Sequence, residues 1–173
     1  MLDRLRLGSA ARLNGYVTAV AVGGSAVLGL ALHQGWTVFT EPSLALVVVV
    51  AMAVATEVAP VSDHPVLSRV QVITTSTAFV VAALAEWGWA AAAIIGAVAS
   101  LVGDLVHRRR PKKLLFNLGQ YSLMYGATGL VHQALGGRHP FQTSASQVLA
   151  LLAAAATAAI LNVLATQLVC MLD

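Results

Sequence analysis

The side chains in this chain that could do chemistry are set among apolar ones. Glu57 follows an unbroken apolar run, and Asp104 lies near the end of another. Asp104 stands four residues before Arg108, a spacing that puts both on one helical face, where they can pair. Asn117 and Gln120 are three apart and share a face, as Asn162 and Thr166 do; Gln167 follows, and Thr74, Thr75, Ser76 and Thr77 make a hydroxyl run. Carboxylates and amides in hydrocarbon hold cations, protons or N–H donors. An ionisable group there costs roughly 2.5–3.5 kcal/mol on insertion scales, so it is paired or used. Glu57, Thr74, Thr75, Asp104, Asn117, Gln120, Asn162 and Gln167 are therefore expected to form one polar network. Such a network either fixes packing alone or also serves a ligand or a signal.

Catalysis is not expected from these residues. There is no Gly-rich phosphate loop, closely spaced carboxylate pair, serine elbow or two-histidine metal helix. No catalytic, cofactor-binding or metal-ligating residue is expected. His33, His132 and His139, with Glu41, could form an outward metal or proton site, but their spacing matches no ligand motif. They read as interface or loop histidines. His64 follows Asp63 between Pro60 and Pro65, and His107 extends a basic run. The single Cys170 excludes an internal disulfide.

Composition dictates the elements that position these groups. Charged residues make up 10% of the 173 and apolar residues 58%, with a mean hydropathy of +0.82. A water-facing surface cannot be tiled from that supply, so most of the chain is expected to face lipid. The sequence predicts an all-α polytopic membrane protein, one transmembrane domain of six helices, near 13–32, 44–59, 70–85, 89–106, 114–135 and 147–172. Gln34-Gly35, Glu41-Pro42, Pro60, Pro65, Gly88, Pro111, Gly136-Gly137 and Pro140 mark the breaks. The basic N-terminus precedes a retained first helix rather than a cleaved signal peptide.

Of the ten Lys and Arg, Arg4, Arg6, Arg12, Arg69, Arg108, Arg109, Arg110, Lys112 and Lys113 fall on one side of this threading; Arg138 is the exception. The positive-inside bias then places both termini in the cytoplasm of a multi-pass plasma-membrane protein, with Trp36, Trp87 and Trp89 at the outer interface. The polar layer falls in the cytoplasmic leaflet. The net charge of +3 is explained by lipid headgroups and orientation, so no nucleic-acid partner is expected. The basic loop, Arg108–Arg110 with Lys112 and Lys113, reads as a topology determinant and lipid anchor, or as a dock for an acidic cytoplasmic partner. Ala92, Gly96, Ser100 and Gly103, and then Gly119, Ser122, Gly126 and Gly129, form small-residue stripes suited to helix packing or to a partner in the membrane.

The order of residues also resembles a known family. It comprises Glu57-Val58-Ala59-Pro60-Val61, a Ser/Thr strip with Ala78-Phe79, Gly103-Asp104, the basic loop with Pro111, Leu115-Phe116-Asn117, Gln120-Tyr121-Ser122 and Asn162. Over roughly residues 40–165 it is similar to the N-terminal membrane-associated sensor (MASE-type) regions of bacterial signalling proteins, in an Ala- and Val-rich actinobacterial style. The resemblance implies a sensor and anchor that precedes a diguanylate cyclase (GGDEF) or HD-type phosphohydrolase domain. Neither domain is in this sequence, so the expectation is that the catalytic part is missing from it or that the module stands alone. Two alternatives remain. One is the substrate-binding subunit of an energy-coupling-factor-type transporter, whose pocket would open opposite the polar layer. The other is a non-catalytic subunit of a larger membrane complex. Expected partners are membrane lipid, a second copy or another membrane protein, and a cytoplasmic effector.

Overall fold

A computed structural model describes residues 2–59 and 76–172. Its elements are α1 (Leu2–Gly35), α2 (Thr37–Thr40), α3 (Leu44–Val58), α4 (Ser76–Trp87), α5 (Trp89–Val106), α6 (Pro111–Ala134) and α7 (Ala145–Leu172). All described secondary structure is helical. Several of the expected breaks among the described residues separate or bound helices, and Pro60 and Pro65 lie outside those residues. Ser43, after Pro42, caps α3 by accepting the Leu46 N–H at 3.2 Å. Pro111 opens α6 at its first helical position. Gly88 alone separates α4 from α5, at φ 86° and ψ 178°, a region essentially reserved for glycine.

Several boundaries differ from expectation. The first helix runs from Leu2 to Gly35 rather than 13–32, because charged Asp3, Arg4 and Arg6 end an apolar run without ending helical backbone. The last begins at Ala145, and the fifth segment starts at Pro111 instead of 114. The third, expected at 70–85, is described from Ser76, so Thr74, Thr75, Asp63, His64 and Arg69 lie outside the described residues.

α5 is the central helix. Twelve of its 18 residues are buried, and it packs against α1, α3, α4 and α6. α6 in turn contacts α1, α5 and α7. The core is built largely from alanine, including Ala31, Ala53, Ala83, Ala91, Ala93 and Ala154. Large apolar side chains point outward instead: Val22, Leu44, Leu149, Leu152, Ile160 and Leu164 are exposed. Among the described residues, three helical stretches are long and apolar enough to cross a membrane: Ala11–Gly35, α5 and Ala145–Met171. α3 and α4 are apolar but shorter.

Helix directions follow from which residues meet. α1 and α6 are parallel: Tyr16 stacks at a tilt on Phe116, Gly24 meets Gly119, and Val27 meets Gly126. α5 and α6 are antiparallel, with Trp89 against Gly129, Tyr125 against Gly96 and Asp104 bonded to Asn117. α6 and α7 are antiparallel too, through Gln120 with Asn162 and Gly136 with Gln147. The start of α1, the end of α5, the start of α6 and the end of α7 therefore share one end of the bundle, here called the basic end.

The two small-residue stripes are both buried, but each is divided between neighbours. Gly119 and Gly126 face α1, whereas Gly129 faces Trp89 of α5; Gly96 seats the Tyr125 ring, and Gly103 meets Glu57 of α3. At the α1–α6 crossing the backbones touch. A Cβ on Gly24 would lie 2.2 Å from the Gly119 Cα, and one on Gly119 would lie 2.5 Å from the Val20 carbonyl oxygen. Gly24→Val or Gly119→Val is therefore expected to destabilise the bundle by about 1–3 kcal/mol or more. Gly15→Ala and Gly29→Ala, with no atom within 4 Å of the added carbon, should leave stability unchanged or slightly raised. Thermal unfolding in detergent followed by circular dichroism checks this; a wild-type melting temperature for Gly119→Val would mean that the two backbones do not meet.

Candidate functional site: a polar layer at the basic end

The last turns of α3 and α5, the first of α4 and the inner parts of α6 and α7 bring the polar residues together. The Ser76 hydroxyl donates to Glu57 Oε1. His107 Nε2 lies 3.1 Å from the Glu57 carbonyl oxygen. A carbonyl only accepts, so that ring nitrogen carries the proton. On α5, Asp104 is buried, and its Oδ1 and Oδ2 both accept from Asn117 Nδ2 at 3.1 and 2.9 Å. One turn further along α6, Gln120 Nε2 donates to Asn162 Oδ1 of α7 at 2.8 Å. Lys112 Nζ donates to Asn14 Oδ1, joining α1 to α6. Each of the six long helices is thus tied to a neighbour by a polar bond at this end.

Three sequence expectations are corrected. Asp104 pairs with Asn117 rather than Arg108, because α5 ends in a Schellman turn: Arg109 N–H bonds the Asp104 carbonyl at 2.9 Å, and Arg108 N–H bonds that of Leu105 at 3.1 Å. That turn sets Arg108 at φ 51°, exposed and off the helical track. Asn117 and Gln120 do not serve one neighbour. They share a face, about 60° apart around the helix, and α6, wedged between α5 and α7, sends one amide to each. Gln167 is exposed and lies outside the layer, and Thr166 is exposed with its hydroxyl bonded back to the Asn162 carbonyl at 2.9 Å.

Two residues were missed. Tyr125 is fully buried against Gly96, its hydroxyl has no hydrogen-bond partner among the described residues, and its ring lies 6.1 Å from that of Tyr121. His132, read as an interface or loop histidine, is 2% exposed, packed against Gly137, and its Nε2 has no hydrogen-bond partner among the described residues. For His132 the available signal was the Gly136-Gly137 pair that follows it, where absent side chains leave room for a ring; Tyr125 is seated by Gly96 of another helix and carried no such signal. His33 and His139 are exposed, and the His139 ring lies over Gly88. Among the described residues no three His, Cys, Asp or Glu side chains are grouped to hold a metal.

Chemically the layer is a hydrogen-bonding lattice. Its carboxylates meet neutral hydroxyl and amide donors. Arg108, Arg109, Arg110, Lys112 and Lys113 are all exposed beside it.

No protein-family profile matches the chain, and no curated protein or solved structure is detectably similar to it.

Hydrogen bonds to a charged group contribute about 1.5–3 kcal/mol, and removing one partner strands the other. Asn117→Leu should therefore destabilise by about that amount, while Asp104→Leu/Asn117→Leu should lose clearly less than the sum of the single variants. A double-mutant cycle on unfolding in detergent measures the coupling; strict additivity would show that the two side chains act independently.

Proposed function

We propose that this chain is an integral membrane sensor and anchor module, crossing a bacterial plasma membrane six times with both ends in the cytoplasm. The observation that carries the reading is the polar layer itself. It ties the helices together at the basic end, and its last link, Gln120 to Asn162, holds α7, the helix whose C-terminal end emerges on that side. A membrane or small-ligand signal that shifts the layer would move α7 and so bias a cytoplasmic effector. The resemblance to MASE-type regions supports the same direction of coupling, toward a GGDEF or HD effector. The exposed Leu, Val and Ile of α1 and α7 support embedding in hydrocarbon, and the cations at the basic end support its orientation.

An interhelical hydrogen bond in a membrane protein is worth about 0.6 kcal/mol on average. Loss of the α6–α7 link is thus expected to shift a two-position equilibrium of α7 roughly threefold. A fluorescent protein fused after Asp173 should glow, and an alkaline phosphatase fused there should stay inactive. The reverse pattern overturns the orientation. Pull-down from native membranes should recover a cyclase or phosphohydrolase effector, whose output Gln120→Leu or Asn162→Leu changes roughly threefold without altering membrane insertion. A recovered effector indifferent to both substitutions would refute the coupling role.

A further inference from the structure

The sequence leaves the basic run with two readings, and the structure adds facts that bear on the choice. Arg108, Arg109, Arg110, Lys112 and Lys113 are exposed together, and the contact of Lys112 with Asn14 brings α1, with exposed Arg12, onto the same surface. The carboxylate nearest in sequence, Asp104, is already engaged by Asn117. Directly beside the cations, Leu105, Val106 and Leu115 are exposed at 59%, 53% and 54%. One helical turn thus passes from side chains that need hydrocarbon to side chains that need anions. The depth at which both demands are met is the phosphate level of a bilayer.

Local energetics sharpen the point. Arg108 occupies the left-handed position that ends a Schellman turn, where glycine is strongly preferred. Lys112 and Lys113 sit in the first turn of α6, which contains no acidic residue. That is the positive end of the helix dipole, where cations are disfavoured. The chain thus keeps Arg108 where the backbone opposes a side chain, and Lys112 and Lys113 where the helix dipole opposes a cation. A nearby polyanionic surface offsets the dipole term at Lys112 and Lys113 and gives the Arg108 cation a partner where it stands.

We infer that the surface formed by Arg12 of α1, the α5–α6 turn and the first turn of α6 binds the phosphate groups of acidic phospholipids in the bilayer that surrounds it. This rests on the membrane embedding proposed above, but not on the sensor role. The lipid would be shared between α1 and α6, whose only other polar tie at this end is the Lys112–Asn14 bond among the described contacts. Acidic lipid would therefore brace the α1–α6 pair.

The test is to reconstitute the full chain in nanodiscs of phosphatidylcholine, with and without phosphatidylglycerol. Melting temperature is followed, and lipid retained on the protein is counted by native mass spectrometry. Phosphatidylglycerol should raise the melting temperature, with the gain screened by salt. Each cation removed should weaken retention roughly fivefold. Arg108→Gly should be at least as stable as the parent in phosphatidylcholine, since the turn loses its strain, yet respond less to phosphatidylglycerol. Arg109→Gln/Lys113→Gln should lose most of the response. An unchanged response in these variants overturns the inference, as does an equal gain from inorganic phosphate in place of the lipid. Failure to enter either nanodisc would sink the membrane reading along with it. Entry into both with indifference to headgroup charge would sink the lipid site alone.

Discussion

Where the outside of a helix bundle is as apolar as its inside, burying another leucine gains little. This bundle shows that condition, with Leu, Ile and Val on its surface and alanine in its core. Cohesion then comes from backbones brought close together and from polar side chains that find each other. The contact of Gly24 with Gly119 is the tightest expression of the first, and the Asp104–Asn117 pair of the second. Both depend on small side chains, because a polar pair spans two helices only if the helices are near.

The two kinds of contact are arranged in order along the bundle. Gly103 lets Glu57 of α3 approach α5, one residue before Asp104 turns to α6. Gly119 seats α1, one residue before Gln120 turns to α7. In each case a glycine closes one interface while the adjacent polar side chain closes another. The layer at the basic end is thus a consequence of close packing as much as of hydrogen bonding. A perturbation of the layer would reach all six long helices.

The opposite end is held differently. Gln147 joins α7 to the loop after α6, accepting the Arg138 N–H at 2.9 Å and donating to the Gly136 carbonyl at 2.9 Å. Gly88 allows α4 and α5 to join through a single residue, with the His139 ring laid over it. These contacts are mostly to backbone groups of turns. They fix loop shape and leave the side-chain chemistry concentrated at the basic end.

The linear order of residues was enough to place most of the described helices and to put most of the polar side chains near one end of them. A break such as Gly88 or Pro111 acts through its own backbone, and an alternating path across an apolar bundle converts position in a segment into depth. α5 was legible to the residue for this reason. What the sequence could not decide was partnership. Asp104 could have met Arg108 or Asn117, and only the turn that throws Arg108 off the helix chose between them. Asn117 and Gln120 looked alike on one face until α6 was found wedged between two neighbours. The burial of Tyr125, likewise, exists because Gly96 of another helix leaves space for its ring. Such choices depend on the distance between helices, which is a property of the packed whole and of no single segment.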